Sequence, residues 1–173
     1  MQNKKIKEKE FKLLPNSGIL SAPVYKGGEQ PDLSKHEIIK LNSNENPLGP
    51  SKLATDALKN SFEFINNYPS SSHEKLRKAI AKVHAINFEN IICGAGSDEL
   101  ISFICQCFCS TNDEVIYTEH GFAMYKISAL LRGANPVKVL ENQRVADVDN
   151  ILKSCNNKTK IIFLANPNNP TAT

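Results

Sequence analysis

The chain has 173 residues, 40% of them apolar and 23% charged, with a formal net charge of +3. That length and composition suit one globular domain, or two small ones, able to bury a core, and exclude a wholly disordered chain. The charge is mild and only three of the 21 basic residues are Arg (Arg77, Arg132 and Arg144), which argues against nucleic acid as the main partner.

Residues 1–12 read as a solvated, charged tail. The stretch 1–15 has no apolar core of a secretory signal, and Glu8 and Glu10 without any Arg make it a poor transit peptide. Apolar runs such as 161–165 fall far short of the roughly 18 residues of a membrane span. The Cys count is odd: Cys93, Cys105, Cys107, Cys109 and Cys155. The expectation is therefore a reducing, cytoplasmic setting with free thiols.

Residues 13–40 show no periodicity and carry Pro15, Gly18, Pro23, Gly27, Gly28 and Pro31, which predicts an irregular arm. LNSNENPLGPS (41–51) reads as a loop. Pro50 and Ser51 then open a helix with Leu53, Ala57, Leu58, Phe62 and Ile65 at helical spacing. Tyr68 and Pro69 break the chain. Ser71 and Glu74 have the spacing of a capping box before a helix with Leu76, Ile80 and Val83 on one face. From residue 90 the pattern changes. NIICG (90–94), EVIYT (114–118), PVKVL (136–140) and KIIFLA (160–165) read as strands, separated by helices over 97–108, 122–132 and 147–154. Gly133 is expected as a left-handed stop. This alternation predicts an α/β fold on a parallel sheet.

Three loops carry candidate chemistry. CGAGSDE (93–99) lies between a strand and a helix, where glycines and free helix amides favour a phosphate; it reads also as an ordinary turn capped by Ser97. It lacks the third glycine of a dinucleotide fingerprint and the Lys of a Walker loop. NPNNPT (166–171) sits at a strand's carboxyl end, where open α/β sheets bind ligands, and its two prolines stiffen the presentation of Asn side chains. EHGFAMY (119–125) offers an aromatic ring for stacking or for helix-start packing. Cys105 and Cys109 share a helix face and read as buried small residues. His36, His73, His84 and His120 show no metal or triad spacing, with His73 in a first helical turn and His84 on a helix surface.

These motifs in this order resemble the fold-type-I pyridoxal-phosphate aminotransferases, and among them the histidinol-phosphate type. The matches run from Gly18 through PVYKGG (23–28), LNSNENPLGPS, Tyr68 with Pro69, GAGSDEL (94–100) and EHGFAMY to NPNNPT. The resemblance implies the three-layer large domain of that class. It implies a division into a tail and arm (1–40), a helical segment of the small domain or dimer arm (41–85) and the first part of the cofactor-binding domain (86–173). It implies that Gly96, Ser97 and Asp98 hold the phosphate of pyridoxal 5′-phosphate, that Phe122 stacks on its ring, and that Asn169 bonds its phenolic oxygen. Tyr68 would reach the phosphate in the neighbouring subunit of a homodimer, and Asn44 and Glu45 would close over a small substrate. That substrate would be an amino acid or amino-alcohol phosphate, with 2-oxoglutarate as the other partner, and no nucleic acid or membrane is implied.

Two departures stand out. The family's Gly after N-N-P-T is Ala172 here, which predicts strain if the backbone turns left-handed. The Schiff-base Lys, the Asp facing the pyridinium nitrogen and the Arg for the substrate carboxylate are expected downstream of Thr173. None of the lysines here stands in an S-x-K context. No catalytic residue is therefore expected within these residues. The implied alternatives are a truncated or split enzyme completed by a C-terminal chain, and a non-enzymatic remnant that holds phosphate ligands.

Overall fold

The structure is a computed structural model and describes residues 14–28, 32, 34 and 39–173. His36 and the charged tail lie outside the described residues. The chain forms two compact units. Ala95–Thr173 with the segment up to Tyr25 makes one, and Lys26–Gly94 makes the other, so residues 86–94 group with the helical segment rather than with the sheet.

In the first unit a central strand β1 (Glu114–Thr118) pairs in parallel with β2 (Asn135–Val139) on one side and β3 (Thr159–Phe163) on the other. The helices are α1 (Ser17–Ser21), α4 (Gly96–Phe108), α5 (Ala123–Leu131) and α6 (Val148–Ser154). Side chains alternate across a strand, so neighbouring residues of β1 feed opposite faces. Val115, fully buried, packs with Cys109, Ala129 and Ala134 on the α4–α5 side. Ile116, also fully buried, packs with Val139 and with Ile151 of α6 on the other. A parallel strand covered on both faces reads as an unbroken apolar run, which is why EVIYT was legible. The result is the expected three-layer α/β arrangement.

Several local expectations are corrected. Ile91 is extended, but residues 91–94 pair with no strand among the described residues; a short 3-10 turn, Phe88–Asn90, precedes them and Ile92 is largely exposed. The sheet among the described residues therefore has three strands, not four. An apolar run supplies the side chains of a strand but not its partner. The arm is not wholly irregular, because α1 forms within it and packs on α5.

The second unit holds α2 (Lys52–Ser61) and α3 (Glu74–His84). Ser51 caps α2 by accepting the Ala54 amide at 3.2 Å. The capping box at Ser71 does not form. The cap position of α3 is exposed His73, left-handed at φ +50°, with no side-chain cap. Glu74 starts the helix instead of closing its first turn, and its carboxylate pairs with Lys78 one turn on. The Ser70 and Ser72 hydroxyls bond each other at 3.0 Å. Arg77 ties the helix to its flanking turns, donating to the Phe88 carbonyl at 3.1 Å while its guanidinium lies 4.1 Å from the Phe88 ring centroid.

Candidate functional site at the carboxyl edge of the sheet

Topology brings the candidate loops of the first unit to one edge. Helix α4 ends five residues before β1 and runs back across the sheet. Its 13 residues span about 20 Å, enough to return its N-terminus to the level of the strands' carboxyl ends. Helix α5 starts at that same edge, directly after β1, and the NPNNPT loop leaves β3 there. Gly96, Ser97 and Asp98, Phe122, and Asn169 therefore share the carboxyl edge, the usual ligand side of an open α/β sheet.

The first turn of a helix leaves amides without intrahelical acceptors, and its dipole favours negative charge. At α4 the cap position is Ala95 and no side chain caps those amides. The expectation of Ser97 as cap is thus corrected: Ser97 lies inside the first turn. Glu99 reaches back one turn, its carboxylate accepting the Ala95 amide at 2.6 Å. Gly96 adopts φ +81°, and a Cβ added there would meet nothing within 4 Å. Glycine is needed at Gly96 for its backbone, and the space above it is open to a ligand.

Phe122 is the cap residue of α5, half-buried between two rings. Tyr25 and Tyr125 each meet it nearly edge-on, with centroids 6.0 Å away. Tyr125 in turn stacks on Phe163 of β3 at 4.6 Å, its ring 6° from parallel. Such edge-to-face and offset contacts hold an aromatic in one orientation.

The NPNNPT loop closes on itself. Asn168 accepts the Ala172 amide on its carbonyl at 2.7 Å and donates its own amide to the Thr173 carbonyl at 2.8 Å. Its side-chain nitrogen donates to the His120 carbonyl at 3.2 Å and to the Thr171 hydroxyl at 2.8 Å. Asn169 is exposed beside it. The peptides Asn166–Pro167 and Asn169–Pro170 are both cis. Ala172 does sit at φ +58°, as its departure from glycine foreshadowed. Ala172→Gly is expected to raise stability by about 1 kcal/mol by relieving that left-handed backbone. A thermal melt checks it, and an unchanged or lower midpoint would show that the turn is unstrained.

Glu141, which no sequence motif singled out, is an occluded acidic group at this edge, far less exposed than Glu119. Its side chain is 2% exposed. It accepts the His120 amide at 3.0 Å and meets the His120 Nδ1 at 2.7 Å. Burial pushes the Glu141 carboxyl up, but the hydrogen bonds from the His120 amide, the His120 ring and the Thr118 hydroxyl outweigh it, and the net direction is down.

The remaining candidates lie in the second unit. Tyr68 is 96% exposed. Asn44 is left-handed at φ +53°, and Glu45 pairs with Lys40 at 2.8 Å. Cys105 and Cys109 are buried as expected, and burial raises both thiols, that of Cys105 to about 11. They behave as core residues. Among the described residues no cluster of His, Cys, Asp or Glu could hold a metal ion, and no helix is long and apolar enough to cross a membrane.

Parallel strands, a glycine-turned helix N-terminus and an Asn-Pro loop at one edge define an α/β unit whose candidate loops gather at the carboxyl ends of its strands. The chain belongs to the class I and II aminotransferase family, whose model matches residues 36–173. Its relatives include the histidinol-phosphate aminotransferases of a Ruegeria species, 53% identical, and of Paracoccus denitrificans, 45% identical. Each alignment covers 93% of this chain and 44% of the relative, so the chain spans under half the length of the curated relatives it matches. Among solved structures, histidinol-phosphate aminotransferase from Sinorhizobium meliloti in complex with pyridoxal-5′-phosphate superposes with a TM-score of 0.70. It is 23% identical, over 73% of this chain and 35% of that one. Alanine aminotransferase from Pyrococcus furiosus gives a TM-score of 0.65 at 25% identity, over 70% of this chain and 34% of that one.

Proposed function

We propose that this chain carries the cofactor-holding part of a pyridoxal-phosphate-dependent transaminase of the histidinol-phosphate type. The reaction would move an amino group between histidinol phosphate, or a similar donor, and 2-oxoglutarate. The observation that carries the reading is the glycine-turned N-terminus of α4, where Glu99 takes the Ala95 amide but no cap side chain takes those of the first turn, at the same sheet edge as Phe122 and the NPNNPT loop. The donor set fits the three parts of pyridoxal 5′-phosphate. First-turn amides and the Ser97 hydroxyl suit the phosphate, with Asp98 in the same turn. Phe122, held by its two tyrosines, suits the flat ring. The Asn169 amide suits the phenolic oxygen.

When bound, the cofactor supplies an electron sink for the electron pair of the substrate Cα–H bond. The residues of this chain bind and orient. The helix amides neutralise the phosphate, the aromatic fixes the ring plane, and Asn169 sets the ring's rotation. Tyr68, fully exposed, would reach the phosphate of a second subunit in a homodimer. Asn44 and Glu45 would close over the substrate. The relatives' names support a biosynthetic role, in histidine synthesis, and the free, odd-numbered thiols suit a cytoplasmic setting. The amine that takes and returns the α-proton and the carboxylate opposite the ring nitrogen are assigned by resemblance to positions beyond residue 173. The roles proposed for the residues up to 173 are therefore binding and orientation, and proton transfer is left to those other positions.

Equilibrium dialysis with pyridoxamine 5′-phosphate tests this, because that form has no aldehyde to react with surface lysines. We expect saturable binding, competed by inorganic phosphate. Phe122→Ala and Asn169→Ala should each weaken it about fivefold, the effect of losing a ring contact or a hydrogen bond worth roughly 1 kcal/mol. Absence of saturable binding, or full affinity in both variants, would overturn the reading.

A further inference from the structure

We infer that Glu141 is a positioning residue: through His120 it sets the placement of Phe122 and Asn169 relative to each other. The argument starts from strand register. Val139 of β2 lies beside Thr118 of β1, and the Glu119 amide extends that ladder by donating to the Val139 carbonyl at 2.9 Å. Two residues past the last strand position, the Glu141 carboxylate therefore arrives beside His120 and the Thr118 hydroxyl. Both carboxylate oxygens are used on one residue, Oε1 on the His120 amide and Oε2 on the His120 ring.

His120 is tied at three atoms, although its side chain stays 45% exposed. Its amide and Nδ1 go to Glu141, and its carbonyl accepts the Asn168 side chain at 3.2 Å. Phe122 lies two residues on along the chain from His120, and Asn169 lies next to Asn168. The Glu141–His120–Asn168 relay thus ties the loop after β1 to the loop after β3. A further tie closes the frame, because the Thr173 hydroxyl donates to the Arg144 carbonyl at 2.5 Å, in the hairpin turn that follows Glu141. Hydrogen bonds to a nearly buried carboxylate are among the stronger polar contacts, and removing the acceptor strands their donors. The helix amides at Gly96–Asp98 belong to a different element and take no part in the relay.

That separation gives the test, which rests on the cofactor reading for one arm only. Hydrogen exchange of the 173-residue chain, read over the segments 119–126 and 164–173, follows the relay itself without any ligand. Dialysis with pyridoxamine 5′-phosphate and with inorganic phosphate follows its consequence. Glu141→Ala should speed exchange in both segments and leave 114–118 protected. It should weaken pyridoxamine 5′-phosphate about tenfold, as expected for lost hydrogen bonds to a buried charge, and change phosphate binding less than twofold. Glu141→Gln keeps an acceptor for the His120 amide and should fall between wild type and alanine; it carries the test alone if the alanine variant does not fold. Unchanged exchange in either segment overturns the inference, and so does an equal loss of both ligands, which would mark a general loss of structure. Faster exchange in a protein whose wild type binds no pyridoxamine 5′-phosphate would support the relay and sink the cofactor reading instead.

Discussion

Ile116→Ala is expected to cost about 4 kcal/mol, within the range for emptying a fully buried aliphatic site. Ile116 lies in the central strand, is fully buried, and faces Val139 and Ile151. Few fully buried side chains stand behind it: Val115, Cys105 and Ser128 are the other large ones. With so small a core, neighbours on β2 and α6 have little material to collapse into the gap. A domain holds roughly 5–15 kcal/mol in total, so the variant should approach the threshold of folding. Chemical denaturation reads the effect directly. A loss below about 1 kcal/mol would mean that the α6 face of the sheet is not a packed core.

Gly18→Ala is the second large effect. Gly18 is buried in α1, where the short helix meets α5. A Cβ added there would lie 1.8 Å from the Leu130 carbonyl oxygen, 2.9 Å from its carbon and 3.3 Å from the Gly133 Cα. All three obstacles are backbone, so no side-chain rotation relieves the clash. Overpacking of this kind costs roughly 1–3 kcal/mol, and here the cheaper response is to release α1 from α5. Release would also remove Tyr25 from the edge of Phe122. Limited proteolysis should then cleave within 14–25 at rates well above wild type, with a lowered melting midpoint. Equal protease resistance in the two proteins would show that α1 does not dock as described.

The legible parts of the fold were those that local chemistry dictates. β1 matches its sequence expectation residue for residue because burial on both faces leaves an uninterrupted apolar signature. α4, α5 and α6 fall within a residue or two of the expected spans, and Gly133 is left-handed as expected. The misreadings share a cause. Residues 91–94 look like a strand, but strand status depends on a neighbour that the local sequence does not encode. Ser71 and Glu74 have capping-box spacing, but the box also needs an extended residue at the cap, and the turn places left-handed His73 there. Ser97 fails as a cap for a related reason, since Gly96 turns the backbone one residue earlier.

The candidate site divides along the same line. Its loops announce themselves through Gly, Pro and Asn, whose backbone limits are local. Glu141 gives no such signal. Its partner His120 lies 21 residues away in sequence, and the two meet only because β2 pairs with β1 in one register. Asn168 meets the His120 carbonyl across 48 residues for the same kind of reason. A carboxylate just past a parallel strand is the one pattern that could have raised the question.

On the proposed reading, the N-terminus of α4 grips the phosphate of a ring-bearing cofactor. The most direct measurement is the phosphorus resonance of pyridoxamine 5′-phosphate titrated with the chain, for wild type and for Ser97→Asp. An added carboxylate in the first turn suits the helix dipole, so the fold should hold, but it places like charge against the phosphate. A saturable shift of the resonance is expected with wild type and none with the variant. A wild-type titration without a shift, or an identical shift with Ser97→Asp, would contradict that reading.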